Sequence, residues 1–188
     1  MTSDLPYIGL DFDGVICNPP LGFNIGISAG EWPADIAERG VKERRGLALK
    51  LENAMAPIRY FGRKPLPNVA DHLRRLGEVR RIAIITGRPV SLQGMVEAWL
   101  MRYGLLELIT EVHTNSTGYR TPHFKATKAA ELGAREFVED DGRTVRYLAG
   151  MGLNVYMVDW PRNRSHYAEN VTVVESLGDV ATALAEAQ

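Results

Sequence analysis

Residues Tyr7–Ile16 read YIGLDFDGVI. An apolar run ends in two carboxylates, Asp11 and Asp13, separated only by Phe12, and Gly14 follows at once. Short apolar runs of this kind suit strands buried on both faces of a parallel sheet. Two like charges placed so close repel each other, so the arrangement calls for a cation.

Working outward, further apolar runs predict strands at Arg81–Thr86, Glu111–Thr114, Glu136–Glu139 and Asn154–Asp159, with a weaker one at Val171–Glu175, beside the first at Tyr7–Asp11. Helical spacing predicts helices at Asn68–Leu76, Ser91–Arg102, Lys125–Leu132, Arg143–Met151 and Leu177–Ala185. Alternating elements imply an α/β fold, a doubly wound parallel sheet of Rossmann-like type.

One segment breaks the alternation. About fifty residues, Cys17 to Leu66, stand where a crossover usually needs ~10–15. Its start, NPPLGFNIGISAGEWP (Asn18–Pro33), reads as loop, and Leu47, Leu51, Met55 and Ile58 follow at helical spacing. The expected organisation is therefore a core of residues 1–16 and 67–188, with a small, mainly helical cap at 17–66. Lys42–Lys64 holds seven basic and two acidic residues, either a solvated helix face or a group that attracts an anionic substrate.

Composition narrows the class. The chain has 188 residues, 45% hydrophobic and 24% charged, enough for one main domain with a sizeable core. Its 22 basic and 23 acidic residues give a formal net charge of -1, which argues against a partner that is a nucleic-acid polymer. No apolar run reaches the ~20 residues of a membrane helix, so no membrane partner is expected. The N-terminal MTSDLPYIGL shows neither a basic nor a long apolar signal region, and Cys17 is the only cysteine, which together fit a cytoplasmic, reducing setting. No disulfide within the chain and no cysteine cluster for zinc can form. Oligomeric state leaves no mark on the sequence.

Ligands in parallel α/β sheets bind beyond the carboxyl ends of the strands. There the sequence places Asp11-Phe12-Asp13-Gly14, then Thr86-Gly87-Arg88, then Glu139-Asp140-Asp141, with Lys125 near the start of a helix. Several carboxylates, a hydroxyl, flexible glycine backbone and cations thus share one sheet edge. Asp11, at a strand end, is placed to act as a nucleophile. Asp13 is placed to protonate a leaving oxygen and then deprotonate water. The oxygen-rich set suits Mg²⁺.

The ordered set DFDGV, ITGR, Lys125 and EDD resembles the haloacid dehalogenase-like superfamily, most of whose members are magnesium-dependent phosphotransferases. The resemblance implies a phosphomonoester hydrolase working through an aspartyl-phosphate on a small phosphorylated substrate. It assigns Asp11, the backbone carbonyl of Asp13, and Asp140 as Mg²⁺ ligands, with Glu139 and Asp141 near metal-bound water. Asp11, Asp13, Thr86 and Lys125 become the catalytic candidates, and Phe12, Gly87 and Arg88 the substrate-binding ones.

Competing readings stand beside these. Lys128 competes with Lys125, and Arg88 fits a structural ion pair as well as a substrate contact. A dehalogenase of the same superfamily would lack the second Asp, so Asp13 and EDD speak against it. A phosphomutase or other phosphotransferase shares the motifs, and a non-catalytic phosphate-binding protein is the reading from another class. The segment FVEDDGRTVRYLAGMGLNVYMVDWPRN (Phe137–Asn163) looks like the 5'(3')-deoxyribonucleotidase-like branch, which makes a nucleoside monophosphate the leading specific substrate. Trp32 and Tyr60 are candidates to stack on its base or, equally, to form the core of the cap. His113, His123 and Cys17 read as packed or solvated residues.

Overall fold

The computed structural model describes residues 4–18, 63–117, 119–160 and 168–187. Most of the expected cap, Trp32 and Tyr60 included, therefore lies outside the described residues. Six strands form one all-parallel sheet: β1 (Tyr7–Leu10), β2 (Arg81–Pro89), β3 (Glu111–Asn115), β4 (Glu136–Glu139), β5 (Asn154–Val158) and β6 (Val171–Val174). Their order is β3-β2-β1-β4-β5-β6. Among the described residues, five α-helices connect or follow them: α1 (Val69–Gly77), α2 (Gln93–Arg102), α3 (Thr121–Glu131), α4 (Gly142–Gly150) and α5 (Leu177–Glu186). The α/β class is present, as is each strand and helix expected in the core outside the cap.

The sheet is covered on both faces, which is why its central strands are apolar throughout. All four residues of β1 are buried. Along β2 successive side chains point to opposite faces. Ile82 and Ile84 join one core with Leu73 and Leu76 of α1, Trp99 and Leu100 of α2, and Val180 and Leu184 of α5. Ala83 and Ile85 join the other with Phe124 and Ala129 of α3 and Val145 and Leu148 of α4. Truncating a fully buried leucine such as Leu73 to alanine in such a layer costs about 2–5 kcal/mol.

Two boundaries differ from the sequence reading by three residues or more, the others by at most two. Strand β2 runs three residues beyond Thr86 to Pro89, with an irregular register against β3 between those positions. Helix α3 starts at Thr121 rather than Lys125. Its Pro122 occupies the first turn, where a backbone N–H has no helical partner to lose. Lys125 consequently sits in the second turn.

The chain leaves and re-enters the core at a paired stem. The Asn18 N–H donates to Lys64 O at 2.9 Å and the Leu66 N–H to Ile16 O at 2.9 Å. Cys17 and Pro65 face each other across an antiparallel bridge.

Candidate active site

The strand order reverses direction about β1 and β4, and a ligand crevice opens beyond the carboxyl ends at such a switch point. Parallel pairing of Leu10 with Val138, continued by the Asp11 N–H to Val138 O at 2.9 Å, fixes how these two strands end. Asp11 and the Glu139–Asp141 run therefore emerge side by side. Lys125 reaches them from α3.

Lys125 is buried, with its Nζ 2.9 Å from Asp11 Oδ1 and 2.6 Å from Glu139 Oε2. Burial opposes its charge, but the two carboxylates outweigh that and raise its pKa, so it stays an ammonium. Burial pushes the Asp11 carboxyl up, Lys125 pulls it down and Asp13 pushes it up again, with a net rise. Glu139 is raised by burial first, with Asp11 and Asp140 adding to the effect against the pull of Lys125. Lys128, the competing lysine, instead pairs with Glu131 on its own helix.

Carboxylate oxygens of Asp11, Glu139 and Asp140 lie within 4.8 Å of one another, and all three residues are buried. The donors are all hard oxygens, and Asp11 and Asp140 push the Glu139 carboxyl up, so a small divalent cation fits the charge crowding here. Glu139 also has other bonds. Its Oε1 accepts the N–H groups of Asp140 at 3.1 Å and Asp141 at 3.2 Å, while Oε2 takes Lys125. Asp141 caps α4 through Oδ2, which accepts from the Thr144 N–H and hydroxyl at 3.2 and 2.7 Å. Its Oδ1 is buried without a hydrogen-bond partner among the described residues. An orphaned acceptor beside a cluster of this kind fits a metal-bound water.

Gly14 closes the turn after Asp11 with φ of +75°, the left-handed region glycine tolerates. A Cβ there would stand 1.9 Å from Asp140 Oδ2, so the turn also needs glycine for space. Gly87 is similarly crowded, since a Cβ would meet Thr121 Oγ1 at 2.3 Å.

Asp13 is held by two arginines. Arg88 engages it bidentately, Nε to Oδ2 at 3.0 Å and NH2 to Oδ1 at 2.6 Å. Arg63 NH1 reaches Oδ1 at 2.5 Å. Burial opposes its charge, but Arg88 and then Arg63 outweigh it, and the carboxyl lies below its ordinary value. Both arginine side chains are 7% exposed and that of Asp13 is 33% exposed, so the carboxylate is gripped from behind and open in front.

Other candidates distribute as follows. Thr86 is buried at the sheet edge and pairs in register with Thr114. The Phe12 side chain packs into the core, edge-on to Trp99 at 5.0 Å, with the Arg88 guanidinium 4.7 Å from its ring centroid. Its ring is buried, so any contact Phe12 makes with a substrate would come from its backbone. Arg88 makes the ion pair that was one of its two readings. His113 bonds Glu111, and His123 bonds Tyr147, both away from the carboxylate cluster. From sequence Arg63 reads as one of a group of basic residues suited to an anionic substrate, and the structure sets it on Asp13. Nothing in its local sequence shows that it meets Asp13, fifty positions away.

No known family's sequence profile matches the chain, and no curated protein does. Solved structures do. A haloacid dehalogenase-like family hydrolase from Streptococcus pneumoniae matches with a TM-score of 0.65 at 13% identity, covering 100% of both chains. The chain has the haloacid dehalogenase-like fold. Within that fold, D,D-heptose 1,7-bisphosphate phosphatase from B. bronchiseptica, complexed with magnesium and phosphate, matches at 0.60 with 16% identity, over 98% of this chain and all of its own. L-2-haloacid dehalogenase from Xanthobacter autotrophicus, with chloropropionic acid covalently bound, matches at 0.55 with 18% identity, over 75% of this chain and 68% of its own. Both a phosphatase and a dehalogenase thus share the haloacid dehalogenase-like fold, and the choice between chemistries falls to the residues at the sheet edge.

Proposed function

We propose that the protein is a Mg²⁺-dependent phosphomonoester hydrolase that works through an aspartyl-phosphate on Asp11. The observation that carries this is the placement of buried Asp11 2.9 Å from the Lys125 ammonium, within the oxygen cluster completed by Glu139 and Asp140. Asp11, Asp140 and the backbone carbonyl of Asp13 would hold the ion. Glu139 spends its oxygens on Lys125 and two amides, which suits a supporting role. When bound, the ion would polarise a phosphoryl oxygen as a Lewis acid.

The chain's own residues supply the rest. The Asp11 carboxylate attacks phosphorus as the bond to the ester oxygen breaks, and that oxygen takes its proton from the minor, protonated form of Asp13, whose two arginines favour the carboxylate. Lys125 offsets negative charge on the phosphoryl group as it is transferred, and the Thr86 hydroxyl and Gly87 amide orient its oxygens. Asp13, now a carboxylate, takes a proton from the water that attacks the phosphorylated Asp11. Orthophosphate leaves and Asp11 is restored.

The substrate we infer is a small phosphorylated metabolite, with a nucleoside monophosphate first among them. This rests on the sequence of Phe137–Asn163 and on the cations and aromatics between Cys17 and Leu66. The test is turnover of p-nitrophenyl phosphate with and without Mg²⁺, followed by a panel of nucleoside monophosphates, sugar phosphates and other phosphorylated metabolites. Metal-dependent release of phosphate is expected. No release from any ester would overturn the assignment, and no preference for a nucleotide would overturn only the narrower one.

A further inference from the structure

Arg63 occupies an unusual position. Its side chain donates through Nε to the Asn18 carbonyl at 2.7 Å and through NH1 to Asp13 Oδ1 at 2.5 Å. Its own carbonyl is held by two donors from α2, Trp99 Nε1 at 3.0 Å and the Tyr103 hydroxyl at 3.1 Å. Trp99 in turn packs against Phe12, the residue before Asp13. Backbone and side chain of Arg63 are thus both fixed to the core, and its guanidinium joins the catalytic turn to the paired stem. A side chain so constrained has little rotamer freedom left to lose, and its fork fixes direction as well as charge.

Arg88 and Arg63 do different things to Asp13. Arg88 spans both oxygens, which sets the plane of the carboxylate. Arg63 adds a second donor to Oδ1 alone. Arg88 NH2 also reaches Oδ2 at 2.7 Å, so each carboxylate oxygen meets two arginine donors while the side chain stays one-third exposed. That is the geometry of a base held ready, with its charged form secured from behind.

Resting on the phosphatase reading, we propose that Arg63 is a positioning residue for the second half of the reaction. It holds the Asp13 carboxylate where it takes a proton from the water that attacks phosphorylated Asp11. In that step the water oxygen bonds to phosphorus and the Asp11 oxygen–phosphorus bond breaks. The water proton passes to Asp13, and orthophosphate departs. Formation of the phosphorylated enzyme from an ester with a good leaving group needs no proton donor and does not depend on Arg63.

The experiment is rapid-mixing kinetics of p-nitrophenyl phosphate with Mg²⁺ on the full chain, comparing wild type, Arg63→Ala, Arg63→Lys, Asp13→Asn and Asp13→Asn/Arg63→Ala. Arg63→Ala should lower kcat by roughly 10–100-fold, the order a misplaced group costs. Its kcat/KM should stay within about threefold, and a burst of p-nitrophenol should appear as the phosphorylated enzyme accumulates. Arg63→Lys should show the same pattern more weakly, and it decides the matter should the alanine variant fail to fold. In the Asp13→Asn background the Arg63 change should add nothing, because the group it positions is gone. Equal losses in kcat and kcat/KM, or losses that multiply in the double variant, would overturn the assignment. A wild-type protein without turnover or phosphorylated Asp11 would instead overturn the phosphatase reading, and this one with it.

Discussion

The ammonium of Lys125 stands 2.6 Å from Glu139 Oε2 in a setting where neither residue reaches solvent. Each is therefore the condition for burying the other. Removing Lys125 leaves Asp11 and Glu139 buried without it, and breaking such a pair typically costs about 3–5 kcal/mol. Lys125→Ala should accordingly lose stability in urea unfolding and lose turnover by at least ~10²-fold. Lys128→Ala, which removes only a pair on its own helix, should keep activity within about twofold. Equal effects of the two substitutions would remove Lys125 from the site.

The oxygen cluster makes metal removal a direct test. Turnover should vanish in excess EDTA and return with Mg²⁺. Binding to the folded state alone should also raise its stability, by about 2.7 kcal/mol at a free ion concentration 100 times Kd. Asp140→Asn should weaken that thermal stabilisation as well as activity. An unshifted melting temperature across a Mg²⁺ titration of active wild-type protein would contradict a site built from Asp11 and Asp140.

Asp11 and Asp13 should separate cleanly. Asp11→Asn should form no acid-stable, base-labile phosphoenzyme, because the amide is a poor nucleophile. Asp13→Asn should still form it, with turnover reduced by roughly 10²–10⁴-fold. Intact-mass measurement after quenching distinguishes the two.

Gly14→Ala offers a test that removes no functional group. The new methyl would meet Asp140 Oδ2 at 1.9 Å, at a φ of +75° that disfavours any side chain. The carboxylate must move, so Mg²⁺ affinity and turnover should fall together. A variant with unchanged metal affinity would show that Asp140 is not held by this contact.

Cys17 gives the pH dependence. Burial pushes its thiol up to about 12. A raised acid pKa means that the unfolded chain ionises first, so the fold loses stability as pH rises above the ordinary thiol value of about 8.5. The loss should amount to roughly 2 kcal/mol by pH 10. It should be absent below pH 7, and Cys17→Ala should flatten the slope between pH 8 and 10. Iodoacetamide at pH 8 should modify the unfolded chain and spare the native one.

The fold was legible because burial on both faces writes itself locally. The runs at Tyr7–Leu10 and Ile82–Ile85 are apolar for that reason, and each predicts a strand unaided. The carboxyl-edge residues were legible for a related reason. Asp11 and Glu139 each interrupt an apolar run at its end, and neighbouring parallel strands bring such ends together. The start of α3 was missed because Pro122 reads as a breaker, although at the first turn it breaks nothing. The grip on Asp13 was hidden more deeply. Arg63 and Asp13 meet only because the stem pairs Asn18 with Lys64, a contact that leaves no periodicity in either segment. Nor does the Glu139 side chain announce its bond to Lys125, since any acid in EDD satisfies the motif.

That stem carries a consequence for how such a protein changes over generations. Residues 18 and 64 are joined by their own backbones, and Arg63 is moored to Trp99 and Tyr103 of the core. The chain between them starts and finishes at one fixed place. The entropy of closing a loop grows only logarithmically, about 0.6 kcal/mol for each doubling of its length. The core therefore has little thermodynamic stake in what is spliced between those two points. A longer, shorter or unrelated sequence can be grafted at this socket while Asp11, Lys125 and Asp140 keep their places. Exchanging the sequence between residues 18 and 64 therefore leaves the sheet edge beneath that socket in place.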